Sequence, residues 1–84
     1  MVADKTHHAV CVQIVRLLRE ERERRGLSKY AVALRSGLSE QMIGYVERGL
    51  RQPSLETTVR LAAGLEVNLG EIINQASKAV SRRS

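Results

Sequence analysis

Glycines at positions 26, 37, 49, 64 and 70 cut this chain into short segments, and Pro53 is its single proline. Inside the segments the apolar residues recur at three- and four-residue spacing, so each reads as a short amphipathic helix closed by a tight turn. No segment alternates apolar and polar residues over a strand's length, and no strand is expected. The fold class that follows is all-α. At 84 residues the chain has room for one small domain, below the common domain size of roughly 100–150 residues. Cys11 is the only cysteine, so no intrachain disulfide and no multi-cysteine zinc site can hold the fold. Apolar packing must do so, from a composition that is 43% hydrophobic. So small a helical core is feasible but marginal, and pairing of two copies would help it.

Five helices are predicted. Val10, Ile14, Leu17 and Leu18 mark one face of the first, which the charged run Arg19 to Arg25 extends until Gly26 stops it. Ser28 caps a second helix through Ser36, with Val32 and Ala33 facing inward and Gly37 ending it. Ser39 caps a third from Glu40 to Arg48, with Ile43 and Val46 as its buried pair. Leu50 to Pro53 form a loop. Ser54 then caps a fourth helix carrying Leu55, Thr58, Leu61, Ala62 and Leu65 on one face, and Asn68 caps a fifth with the stripe Leu69, Ile72, Ile73, Ala76 and Val80. The polar ends, residues 1–5 and 81–84, are expected to fray. No internal repeat or low-complexity tract is present.

Composition narrows the function. Tyr30 and Tyr45 are the only aromatic residues, which argues against stacking bases on a row of exposed rings. No apolar run approaches the roughly 20 residues of a spanning helix, and the N-terminus lacks a signal peptide's apolar region, so a cytoplasmic protein without a membrane partner is expected. The formal charge of +5 favours an acidic partner. His7 and His8 are adjacent, point in different directions and lack further ligands, so no metal is expected. Cys11 reads as a small core residue on its helix face. No set of serine, histidine and carboxylate at credible spacing and no glycine-rich phosphate loop points to catalysis, so no enzyme, no cofactor and no small-molecule effector are expected. The run Arg19 to Arg25 interleaves glutamates at helical spacing and reads as a solvated face.

The informative segment is Ser28 to Gly49. Ala33, then Gly37, then Ile43 and Val46 have the spacing of a helix-turn-helix: a small residue for close crossing, a glycine for the left-handed turn, and two apolar residues to pin the second helix. Many helical hairpins satisfy that pattern alone. Residues Arg22 to Gly26, Leu27-Ser28, Val32-Ala33, Gly37-Leu38-Ser39, Ile43, Val46-Glu47-Arg48-Gly49, Pro53-Ser54-Leu55-Glu56-Thr57 and Leu61-Ala62 together resemble the phage-repressor and Cro-type helix-turn-helix family, also called XRE. The resemblance covers about Leu18 to Ile73. It implies a five-helix, lambda-repressor-like DNA-binding domain whose third helix lies in the major groove, usually as a homodimer on a palindromic operator.

Residue types suit that task. Outward residues near the start of a major-groove helix reach base edges, here Glu40, Gln41, Gly44 and Tyr45. The Gln41 amide suits adenine N6 and N7, and Glu40 suits cytosine N4. Tyr45 suits a base or a phosphate, and Met42 either touches a thymine methyl or packs on the second helix. Lys29 stands where the resemblance implies a glutamine, and as a point charge it suits a phosphate. Ser28 and Ser39 sit at helix N-termini, which favour phosphates, and Arg48 and Arg51 flank the loop after the third helix; Arg35 is a further backbone candidate. The resemblance also implies a structural ion pair between Arg22 and Glu47. Departures from the family pattern fall at Glu21, Ser36, Gly44 and Glu66. Gly44 lies mid-helix at a cost of roughly 0.8–1.0 kcal/mol relative to alanine, either to let DNA approach or simply tolerated.

The fifth helix has two open readings. Ile72, Ile73, Ala76 and Val80 either form a two-fold contact between protomers or pack entirely within one. The function expected is a sequence-specific regulator of double-stranded operator DNA, a repressor acting by occlusion as a homodimer. The same resemblance allows a restriction-modification controller or an antitoxin, and a protein-interaction module on the same fold is the reading from another class.

Overall fold

The computed structural model describes residues 3–82. Five α-helices make up the secondary structure among these residues: α1 (Ala3–Arg24), α2 (Lys29–Ser36), α3 (Glu40–Glu47), α4 (Leu55–Leu65) and α5 (Leu69–Arg82). Each predicted cap is in place. The side chains of Ser28, Ser39, Ser54 and Asn68 accept from the backbone N–H groups of Ala31, Met42, Thr57 and Glu71, at 3.0, 3.0, 3.1 and 3.0 Å. Each satisfies one of the N–H groups that a helix start leaves without an intrahelical partner. Gly37 ends α2 in the left-handed region at φ 75°, and Glu66 ends α4 there too at φ 58°, a conformation that a side chain makes costly.

One apolar cluster joins all five helices: Leu18 of α1, Val32 of α2, Ile43 and Val46 of α3, Leu61, Ala62 and Leu65 of α4, and Ile72 of α5. Burying each large member contributes about 1.5–3 kcal/mol, so the cluster orients α3 firmly against its neighbours. Ser36 is the buried polar residue among them, at 6% exposure. It sits against Gly64: a Cβ added at Gly64 would lie 3.1 Å from the Ser36 Cβ and 3.3 Å from its backbone nitrogen. A small residue on α2 facing glycine on α4 thus sets the close approach of those helices.

Several expectations are corrected. Both ends are helical where they are described, with α1 starting at Ala3 and α5 running through Arg82, and residues 1, 2, 83 and 84 lie outside the described residues; the corrections concern burial. Ala76 is fully buried and Ile72 nearly so, because α1 extends far enough to pack along α5 and cover them. These two residues of the proposed two-fold contact are therefore core residues of one protomer, while Ile73 stays exposed and Val80 half-buried. Cys11 is exposed, not a core residue. It lies at an open groove between α1, α4 and α5, lined also by Val12, Leu55 and Ile73. Leu55, expected on the inner face of α4, is 75% exposed, and Thr58 is half-buried; Leu61, Ala62 and Leu65 are the inner face.

Candidate nucleic-acid interface

The helix-turn-helix is α2, the turn at Gly37, Leu38 and Ser39, and α3. Gly37 donates its N–H to the Ala33 carbonyl while in the left-handed region, and the Ser36 hydroxyl accepts from the Leu38 N–H at 3.3 Å. The turn is thereby held from both sides. Ile43 and Val46 bury one face of α3 at 1% and 2% exposure, and Met42, half-buried, packs against the same core.

Burying that face leaves Glu40, Gln41, Tyr45 and Arg48 on the other. Gln41 and Tyr45, four residues apart, are joined: the Gln41 Nε2 donates to the Tyr45 hydroxyl at 2.7 Å. The guanidinium of Arg48 stands 5.6 Å from the Tyr45 ring centre, within cation–π range. Its Nε donates to the Gly44 carbonyl at 3.1 Å, occupying an acceptor at the end of α3. These contacts order three side chains along one ridge, and the bond leaves the Gln41 carbonyl oxygen and one amide hydrogen for a base edge. Residue spacing alone contained the signal for the Gln41–Tyr45 contact, since positions four apart on a helix are neighbours.

Cations sort into two sets. Along α1 Arg16 pairs with Glu20 at 3.8 Å, Arg19 with Glu23 at 3.3 Å, Arg22 with Glu47 of α3 at 2.7 Å, and Arg24 with Glu21 at 2.6 Å, with Arg25 4.0 Å from the same carboxylate. The hydrogen bond from Arg24 lowers the Glu21 pKa from its ordinary value. Lys29, Arg35, Arg48 and Arg51 take part in none of the ion pairs among the described residues. Lys29 begins α2, Arg48 closes α3 and Arg51 is exposed just beyond it, so three of these border the α3 ridge. Ser28 and Ser39 spend an oxygen lone pair on their caps and keep the hydroxyl proton as a donor toward an anion.

Arg22 and Glu47 meet across α1 and α3. The guanidinium donates from Nε and Nη2 to the two carboxylate oxygens at 2.7 and 2.9 Å, and from Nη1 to the Leu27 carbonyl at 2.8 Å. Their side chains are 13% and 9% exposed, and the bond to Glu47 raises the Arg22 pKa above its already high range. A fork of this geometry fixes the end of α3 to α1 and to the start of the α1–α2 turn.

Among the described residues no group of three or more histidine, cysteine, aspartate or glutamate side chains converges as metal ligands would, and no helix is long and apolar enough to cross a membrane. Neither a curated protein nor a solved structure matches the chain. The helix-turn-helix family model matches residues 18–72, from the core residue Leu18 through the first turn of α5. With that match spanning most of the chain, and with α2 and α3 arranged as described, the protein belongs to the XRE/Cro-type helix-turn-helix family of DNA-binding transcription regulators.

Proposed function

We propose that this protein is a repressor that binds a palindromic operator as a homodimer, reading bases with Gln41, Tyr45 and Glu40 of α3 and gripping phosphates with Ser28, Lys29, Ser39, Arg48 and Arg51. The observation that carries this reading is the ridge on the uncovered face of α3, where Gln41, Tyr45 and Arg48 are held by one another and bordered by cations without an acidic partner. An ordered amide suits bidentate pairing with adenine, and unpaired cations suit phosphate oxygens. Repression follows from occlusion of the promoter by the bound dimer.

Pairing of two copies is supported by apolar residues that the protomer leaves open. Ile73 on α5, Val12 on α1 and Leu55 on α4 line one groove, and each is more than a third exposed. The contact surface proposed is therefore the Ile73 side of α5 with Val80 at its end, and not the Ile72 and Ala76 side that α1 covers. In the usual geometry of such dimers the half-sites lie about 34–36 Å apart or a multiple of it.

Selection of binding sites from random duplex DNA tests the reading directly. A recovered inverted repeat supports it, and recovery of no preferred sequence overturns it.

A further inference from the structure

A groove of about 670 Å³ opens between α1, α4, α5 and the loop that follows α3, a volume within the range that drug-sized ligands occupy. Its walls are apolar side chains from three helices: Val12 and Val15 of α1, Leu55 of α4, and Leu69 and Ile73 of α5. Val12, Leu55 and Ile73 are exposed, so this apolar surface meets water in the protomer. The rim is cationic. Arg16, Arg19, Arg48 and Arg51 line it against one carboxylate, that of Glu47, and both Glu47 oxygens already accept from Arg22. Arg16 and Arg19 pair with Glu20 and Glu23 of their own helix. Arg48 and Arg51, at the α3 end of the groove, take part in none of the ion pairs among the described residues. Arg48 spends its Nε on the Gly44 carbonyl and keeps its Nη groups for another acceptor.

We infer that this groove binds a small amphipathic carboxylate as an effector, its apolar body on Val12, Leu55 and Ile73 and its carboxylate on Arg48 and Arg51, and that its binding releases the protein from DNA. A guanidinium takes a carboxylate through two parallel N–H bonds, whereas a neutral head leaves these arginines unmet and a cationic head is repelled by them. Release follows from two exclusions. Arg48 and Arg51 cannot hold the carboxylate and DNA phosphates together, and Val12, Leu55 and Ile73 cannot cover the ligand and a second copy together. Weaker DNA binding with ligand bound means, by linkage, weaker ligand binding on DNA. The inference rests on the DNA-binding reading above and adds an effector site to it. No effector is expected from the residue pattern, because the groove is assembled from three helices and a loop that no local spacing brings together.

Cys11 lines the same groove and is exposed, so its thiol reports occupancy. The test follows alkylation of Cys11 by iodoacetamide in the intact chain and in Arg51→Glu. The probe is decanoate below its micelle-forming concentration, with decanol and decyltrimethylammonium as neutral and cationic counterparts. At about ten times its calorimetric Kd, decanoate is expected to slow alkylation about elevenfold, and the counterparts to slow it by less than about twofold, as is decanoate on Arg51→Glu. Unfolding by the probe would speed alkylation, so slowing reports cover. Decanoate at that concentration is expected to weaken binding to a selected operator about tenfold. Absence of protection overturns the site, and equal protection by the cationic or neutral probe overturns its choice of an anion. Protection that rises with protein concentration alone, and that decanoate does not deepen, gives the groove to a second copy and overturns the site as well. Undiminished operator binding by decanoate-saturated protein overturns the release. Failure of the protein to bind any duplex sinks the DNA-binding reading itself, a distinct result because protection of Cys11 is read without DNA.

Discussion

At the scale of single residues, the Arg22–Glu47 fork is the contact with most at stake. Removing one member strands a charge that is about nine-tenths covered, and breaking a buried pair costs about 3–5 kcal/mol. Arg19 lies 3.9 Å from the same carboxylate and offsets part of that loss, so Arg22→Ala is expected at the low end, about 3 kcal/mol, by urea unfolding. Glu47→Gln keeps one acceptor and should cost less. Glu66 offers the opposite sign. Its φ of 58° is a conformation glycine adopts freely, and its negative charge stands at the carbonyl end of α4. Glu66→Gly should raise stability by about 0.5–1 kcal/mol, seen as a higher melting temperature. At Glu21 the lowered pKa means stability that is present above the carboxyl's ordinary value and lost as pH falls through the folded value. Glu21→Gln should flatten the acid arm of the stability profile by lowering stability at neutral pH, while leaving it almost unchanged below the folded value of the carboxyl. Of these residues the Arg22–Glu47 pair was legible through the family resemblance, while the four-residue spacing of Gln41 and Tyr45 allowed their contact and the structure shows that it forms.

At the scale of elements, α2 and α4 approach closely because Ser36 faces Gly64. Gly64→Val would drive a branched side chain onto the Ser36 backbone and should destabilise by about 1–3 kcal/mol, measured by denaturant unfolding. Adding Ser36→Gly should recover only part of it, since the backbone contact remains. Helix boundaries were read closely from the sequence because caps are local: a serine or asparagine oxygen reaches an N–H three residues on, whatever else the chain does. The inner face of α4 was read less well. Leu55 and Leu61 both fit its apolar spacing, and only the placement of α1 and α2 leaves the first exposed and buries the second.

For the whole molecule, the prediction concerns assembly. Ile72 and Ile73 are adjacent, yet one is 5% and the other 37% exposed. Ile72→Asp places a charge in the core and should unfold the protein, whereas Ile73→Asp should keep the fold and shift sedimentation from dimer to monomer at tens of micromolar, on the order of the concentration at which such regulators assemble. A folded Ile73→Asp dimer would remove this residue from the interface.

The sequence by itself determined the helices, their caps, the helix-turn-helix and the family, because all of these depend on spacing along the chain. Tertiary structure alone decided that Ala76 and Ile72 belong to the core, that Cys11 and Leu55 face outward, and that the ends of Lys29 and Arg48 lie against a buried Gly44. The physical reason is that periodicity defines which face of a helix is apolar, while burial and the meeting of side chains from different helices depend on which neighbour covers that face and how far along it the neighbour reaches.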